Sequence, residues 1–174
     1  MKKIVKTSLI ILILFLSNQF LLAEVPHFLD FKYILNESDA GKKAQSFLKK
    51  KLEGGIKSLK DKESKIQEEE KKLIQQKKVI SAEEYKKKVS ELRNKVISLQ
   101  KERNQLLETV SKQRTKARNE LLKNLNPIIK QYMEEKKIRM VVDKKSLLLA
   151  DEKLNITKEI MGILNKKLKS INLN

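Results

Sequence analysis

Residue types that do covalent chemistry are scarce in this 174-residue sequence. It has no Cys and one His, His27. Thiol catalysis and a disulfide framework are therefore excluded, and His27, with no second His or Cys to share a metal, reads as an ordinary strand position. Asp30 and Asp143 each follow a predicted strand and are the one candidate for paired carboxylates. Aspartates that end strands favour turns, and no nucleophile–base pair, metal cluster or phosphate loop accompanies them. The sequence reads as a non-enzyme with no cofactor. What it has in quantity is positive charge. Lys and Arg outnumber Asp and Glu, 40 to 22. They concentrate in residues 71–95, where Lys71, Lys72, Lys77, Lys78, Lys86, Lys87, Lys88, Arg93 and Lys95 face only Glu83, Glu84 and Glu91. Such a patch attracts anionic polypeptides, anionic phospholipid or lipopolysaccharide, with salt-sensitive association. A second reading stays open. Asp61 and Lys65, Glu68 and Lys72, Glu83 and Lys87, Glu84 and Lys88, and Glu91 and Lys95 all have the i,i+4 spacing of a solvated helix face.

The element that positions this charge is a long helix over 81–117. Ser81 and Glu84 have the spacing of a capping box, and Ile80 and Tyr85 that of a hydrophobic staple. From there Tyr85, Val89, Leu92, Val96, Leu99, Leu106, Val110 and Ala117 follow a coiled-coil seam, which needs a partner stripe. Upstream, Leu52, Leu59, Ile66 and Leu73 recur every seven residues. Leu73 and Tyr85, Ile66 and Leu92, Leu59 and Leu99, Leu52 and Leu106, and Leu48 and Val110 all lie symmetrically about Val79. One antiparallel register therefore aligns all five pairs, with the tip of a helical hairpin near 77–81.

Gly54-Gly55 interrupts the first helix, where each glycine costs roughly 1 kcal/mol relative to Ala. Two readings stand: a pivot in the arm, or room for the stem of Arg103, which the register places opposite Gly55. Asn126-Pro127 marks a kink or a restart of the second helix. Residues 25–35 read as a first strand and Ile138-Arg139-Met140-Val141-Val142 as a second, with Leu147-Leu148-Leu149 as a third. A helix then opens at Ile156-Thr157. Phe28, Phe31, Ile138, Val141, Val142, Ile156, Ile160 and Leu164 make the expected core of a small body. The fold class is mostly α with a small β part. The body comprises 24–38 and 138–174, and a long antiparallel coiled-coil hairpin, 39–137, is inserted between its strands. A body this small calls for association between chains. Ahead of it, Lys2, Lys3 and Lys6 precede a short apolar run, so residues 1–23 read as a signal peptide cut after Ala23. An uncleaved anchor is the alternative. Removing them takes the net charge from +18 to +15 by the loss of three lysines.

The motifs at both ends resemble those of the Skp, or OmpH, family of periplasmic chaperones. Phe28-Leu29-Asp30-Phe31 with Ile34-Leu35-Asn36-Glu37-Ser38-Asp39-Ala40-Gly41-Lys42-Lys43-Ala44 looks like the family's opening. Ile138-Arg139-Met140-Val141-Val142-Asp143 is similar to its second strand, and Asn155-Ile156-Thr157 to the approach to its last helix. Leu149 departs from an expected aromatic and Asn155 from the usual Asp. The resemblance implies a homotrimer joined through a β-barrel-like core, whose three arms enclose a cavity. It also implies a periplasmic holdase that keeps unfolded outer-membrane proteins soluble without ATP. A structural or lipid-binding envelope coiled coil is the alternative. A nucleic-acid partner is not expected: no reading motif is present, and aromatics do not alternate with the basic residues.

Overall fold

The computed structural model describes residues 25–173; the expected signal peptide lies outside them. Strand β1 is His27–Leu29, and it is followed by helix α1, Phe31–Glu37, helix α2, Asp39–Gln76, and helix α3, Ala82–Lys136. Strand β2, Val141–Asp143, two short 3-10 turns and helix α4, Thr157–Lys167, complete the fold. β1 and β2 pair in parallel, with His27 beside Val141, Phe28 beside Val142 and Leu29 beside Asp143. The whole hairpin is thus the crossover between two neighbouring strands.

The first strand is shorter than expected, and the cause is Asp30. Its carboxylate accepts the backbone N–H of Tyr33 at 2.7 Å, which starts α1 where β-prone bulk had pointed to a continued strand. Tyr33, Ile34 and Leu35 are therefore helical, and Ile34 is fully buried. Ser38 then caps α2, accepting from Gly41 N–H at 3.2 Å. A Cβ on Gly41 would stand 2.0 Å from the Leu35 carbonyl oxygen, so only glycine permits the close approach of α1 and α2.

The second strand begins at Val141, three residues later than expected, so Ile138 precedes it. The expected third strand does not form. Asp143 ends β2 by accepting from Lys145 N–H at 3.2 Å and opening a 3-10 turn. This turns the chain away from the sheet and leaves Leu148 and Leu149 almost fully exposed. The place beside β1 goes instead to Asn155, through a single parallel bridge to Phe28. Ile156 N–H donates to Phe28 O there, at 2.9 Å.

The body core joins Leu29, Ile34, Ala40, Ile156, Ile160 and Leu164 to Leu121, Leu125 and Ile128 of α3. The root of the arm is therefore part of the body's own core. α3 does not restart at Asn126; Pro127 lies inside one continuous helix. A proline without N–H is tolerated there because Leu125 and Ile128 on either side are locked in that core.

Candidate functional site

The arm is the expected antiparallel hairpin, with the expected seam residues and a tip between Gln76 and Ala82, but Gly55 lies against Leu106, three residues from the place the symmetric register gave it. α2 has 38 residues and α3 has 55, about 57 and 82 Å at 1.5 Å per residue. Leu48, Leu59, Leu73, Val110 and Ala117 are buried along the seam. Leu52, Ile66, Tyr85, Val89, Leu92, Leu99 and Leu106 are half-buried, as two helices without a third neighbour allow. Val96 is the departure, at 50% exposure. The predicted register sets it opposite Lys62, with no apolar partner. Lys62 instead crosses the seam to Glu102 at 2.5 Å, and Lys95 crosses to Glu69 at 2.5 Å. These rim pairs are exposed and each worth well under about 1 kcal/mol; they favour the register more than they hold the helices.

Gly55 faces Leu106, not Arg103. A Cβ on Gly55 would fall 2.5 Å from the Leu106 side chain, while Arg103 turns to Glu63 at 3.7 Å. A leucine side chain does not move out of a seam as an arginine stem moves along one. Gly54 borders open space, so packing does not require it.

At the tip, α2 ends at Gln76, and Ser81 caps α3 by accepting Glu84 N–H at 3.1 Å. Of the five expected i,i+4 pairs, only Glu84–Lys88 forms among the described residues, at 3.2 Å. Lys88 also donates to Gln76 at 3.3 Å, and Lys77 stands 5.8 Å from the Tyr85 ring centre. Lys71, Lys72, Lys86, Lys87 and Arg93 on the two helices and Lys78 in the turn between them are exposed and make no ion pair to a carboxylate among the described residues. The tip is a cluster of solvated cations at the far end of a lever.

Of the expected body-core residues, Phe28, Ile156, Ile160 and Leu164 are buried, and Phe31, Ile138, Val141 and Val142 are half-buried. Phe31 is helical and lies under Arg118, 5.8 Å from its ring centre. A polar relay ties the strand to the last helix. Asp30 N–H donates to Thr157 Oγ1 at 2.8 Å, and Thr157 N–H and Oγ1 both donate to Asn155 Oδ1, at 3.1 and 2.6 Å. Asn155 Nδ2 donates to Glu152 at 2.9 Å. That bond, with the Lys144 ammonium at 3.7 Å, holds the Glu152 carboxyl below its usual range. Asp30 and Asp143 are thus both committed to backbone caps. Among the described residues no group of three or more His, Cys, Asp or Glu stands ready for a metal, and no helix is long and apolar enough to cross a membrane.

Sequence reasoning missed one feature, a groove of about 860 Å³ at the arm root. Ala44, Leu48, Leu52, Val110, Ala117 and Leu121 floor it, and Lys42, Lys49, Arg114 and Arg118 stand at its rim. The small side chains of Ala44 and Ala117 in the seam were its only sequence signal.

Fold and site together define a class: a helical hairpin arm, basic at its tip, carried as an insertion in a small parallel α/β body. Residues 27–164 match the family of outer membrane proteins described as OmpH-like, and this chain belongs to that family. Among solved structures, a Caulobacter crescentus protein provisionally described as an OmpH-like outer membrane chaperone shares the fold with a TM-score of 0.79. It is 20% identical, and the match covers 85% of this chain and 89% of that one. Among curated proteins, no sequence matches this one.

Proposed function

We propose that this protein is an ATP-independent periplasmic holdase, which keeps unfolded outer-membrane proteins soluble in a cavity between the arms of a homotrimer. The observation that carries the reading is the arm. Beyond the root, which packs into the body core, each helix is covered along the seam by the other, and its remaining faces, polar except for Phe47, Ile56, Ile74, Ile97 and Leu107, are walls with no partner among the described residues. Walls of this kind hold an unfolded chain by many weak contacts, which together give high avidity without fixing its shape. The description of the Caulobacter protein as an outer membrane chaperone supports the same reading. The fully exposed Leu148 and Leu149 on a body with only two short strands support association between copies. Residues 1–23 act as the export signal, and release follows from client folding or handover.

The test uses residues 24–174 and an outer-membrane β-barrel protein diluted from urea. Light scattering follows aggregation, and multi-angle scattering gives the oligomer mass. Suppression near one client per trimer is expected. A well-formed trimer that leaves aggregation unchanged overturns the holdase reading. The unpaired tip lysines favour a second reading, a lipid-binding envelope coiled coil. It predicts binding to anionic vesicles with no effect on client aggregation.

A further inference from the structure

The groove at the arm root has two flanks. On α3, Val110, Ala117 and Leu121 form the line that faces α2. At 100° per residue, Arg114 and Arg118 fall to one side of that line and Gln113 to the other. The Arg114 side is the open groove. The Gln113 side is covered by the segment that follows α4. Leu168 leaves the helix in an extended conformation, Lys169 pairs with Asp39 at 3.0 Å, and Ile171 bridges the body core and the arm root. Leu173 then sits 4% exposed among Ala44, Leu48, Val110 and Ala117.

The segment is held by its apolar side chains and by its main chain: Leu168 and Ile171 pack against the body core, and Leu173 enters a pocket between the helices. Gln113 Nε2 donates to the main-chain carbonyl of Leu173 at 2.6 Å. Oε1 of the same amide is buried and has no hydrogen-bond partner among the described residues. One carboxamide thus offers a donor that is used and an acceptor that is spare, as needed to grip the C=O and N–H of an extended backbone. The same seam stands open on its other flank, where the groove is lined by Arg114 and Arg118. The family match ends at residue 164, ahead of the segment, and includes both helices that form its seat.

We propose that the Gln113 flank of the arm root is a binding site for an extended, apolar segment of unfolded polypeptide, and that residues 168–173 are its resident, displaceable occupant. This rests on the holdase reading for the identity of the outside ligand. While the resident is seated, the site is closed, and the apparent affinity for a competing chain falls by the fraction of time the site is open. An unfolded client displaces the resident and gains a contact at the mouth of the arm.

The probe is a fluorescent peptide of residues 168–174, followed by anisotropy against three proteins: the intact chain, a chain lacking 168–174, and Leu173→Asp. The last frees the segment without shortening the chain and guards against a deletion that fails to fold. Both altered proteins are expected to bind the peptide about tenfold or more tightly than the intact chain, and Gln113→Ala in the deleted chain weakens that binding. Equal binding by all three, or none by a folded Leu173→Asp protein, overturns the proposal. In the second arm, urea-unfolded β-barrel protein competes the peptide off and binds the Leu173→Asp protein more tightly than the intact one. Client affinity identical in both refutes the outside ligand while the holdase stands. Aggregation left unsuppressed by both refutes the holdase, and the peptide result still reports on the seat.

Discussion

Asn155 does two jobs that an aspartate could not combine. Its Oδ1 accepts both Thr157 N–H and Thr157 Oγ1–H, and its Nδ2 donates to Glu152. Asn155→Asp keeps the acceptor and sets a second carboxylate against Glu152. The bond now present stabilises the fold above the ordinary carboxylate value of 4.5, and its contribution is lost as pH falls through the depressed value of folded Glu152. The variant is therefore expected to melt lower than the parent at pH 7, with the gap closing as pH falls below the ordinary carboxylate range and both carboxyls protonate; calorimetry across pH checks it. The glycines separate as cleanly. Gly54→Ala meets nothing and is expected to stabilise by roughly 1 kcal/mol. Gly55→Ala drives a methyl into Leu106 and is expected to cost about 1–3 kcal/mol. If Gly54 also serves as a pivot, Gly54→Ala narrows the spread of arm angles in small-angle scattering at unchanged fold. At this scale Asp30 was legible as a strand-ending residue but not as a helix cap. Deciding between the two required knowing that Ile34, four residues on, had a core to enter.

Among the elements, the hairpin carried the clearest sequence signal. Its heptads and its cap at Ser81 are local, so seam and tip followed from the chain alone. The tip lysines were ambiguous, because a lysine four residues from a glutamate can pair with it or reach into solvent. The structure leaves four of the five expected pairs unmade. Reversing Lys77, Lys78, Lys86, Lys87 and Lys88 to Glu is expected to abolish binding to anionic vesicles at low salt, since each basic residue near such a surface contributes about 1 kcal/mol. Vesicle flotation reads this out, and binding that survives the reversal refutes a role for the tip. Of the two expectations at Pro127, the restart does not occur. A helix fixed by Leu125 and Ile128 in the core runs through a residue that ends helices elsewhere.

For the whole molecule, the exposed leucines are the outstanding feature of the body. In the proposed trimer, Leu148 and Leu149 are buried between copies. Leu148→Ser with Leu149→Ser is expected to shift the scattering mass from trimer toward monomer while helix content holds; an unchanged mass places the contact elsewhere. By itself the sequence determined the mostly helical class, the hairpin's apolar seam, the tip and the helix at Ile156, because periodicity and caps act between residues a few positions apart. It also carried the resemblance on which the family rests. Tertiary structure decided where β1 stops, that Leu147-Leu148-Leu149 is no strand, that Gly55 makes way for Leu106, and that residues 168–173 fold back onto the arm root. Those outcomes depend on contacts between segments far apart in the chain, and three-residue strands and a single seated leucine leave no period in the sequence from which to read them.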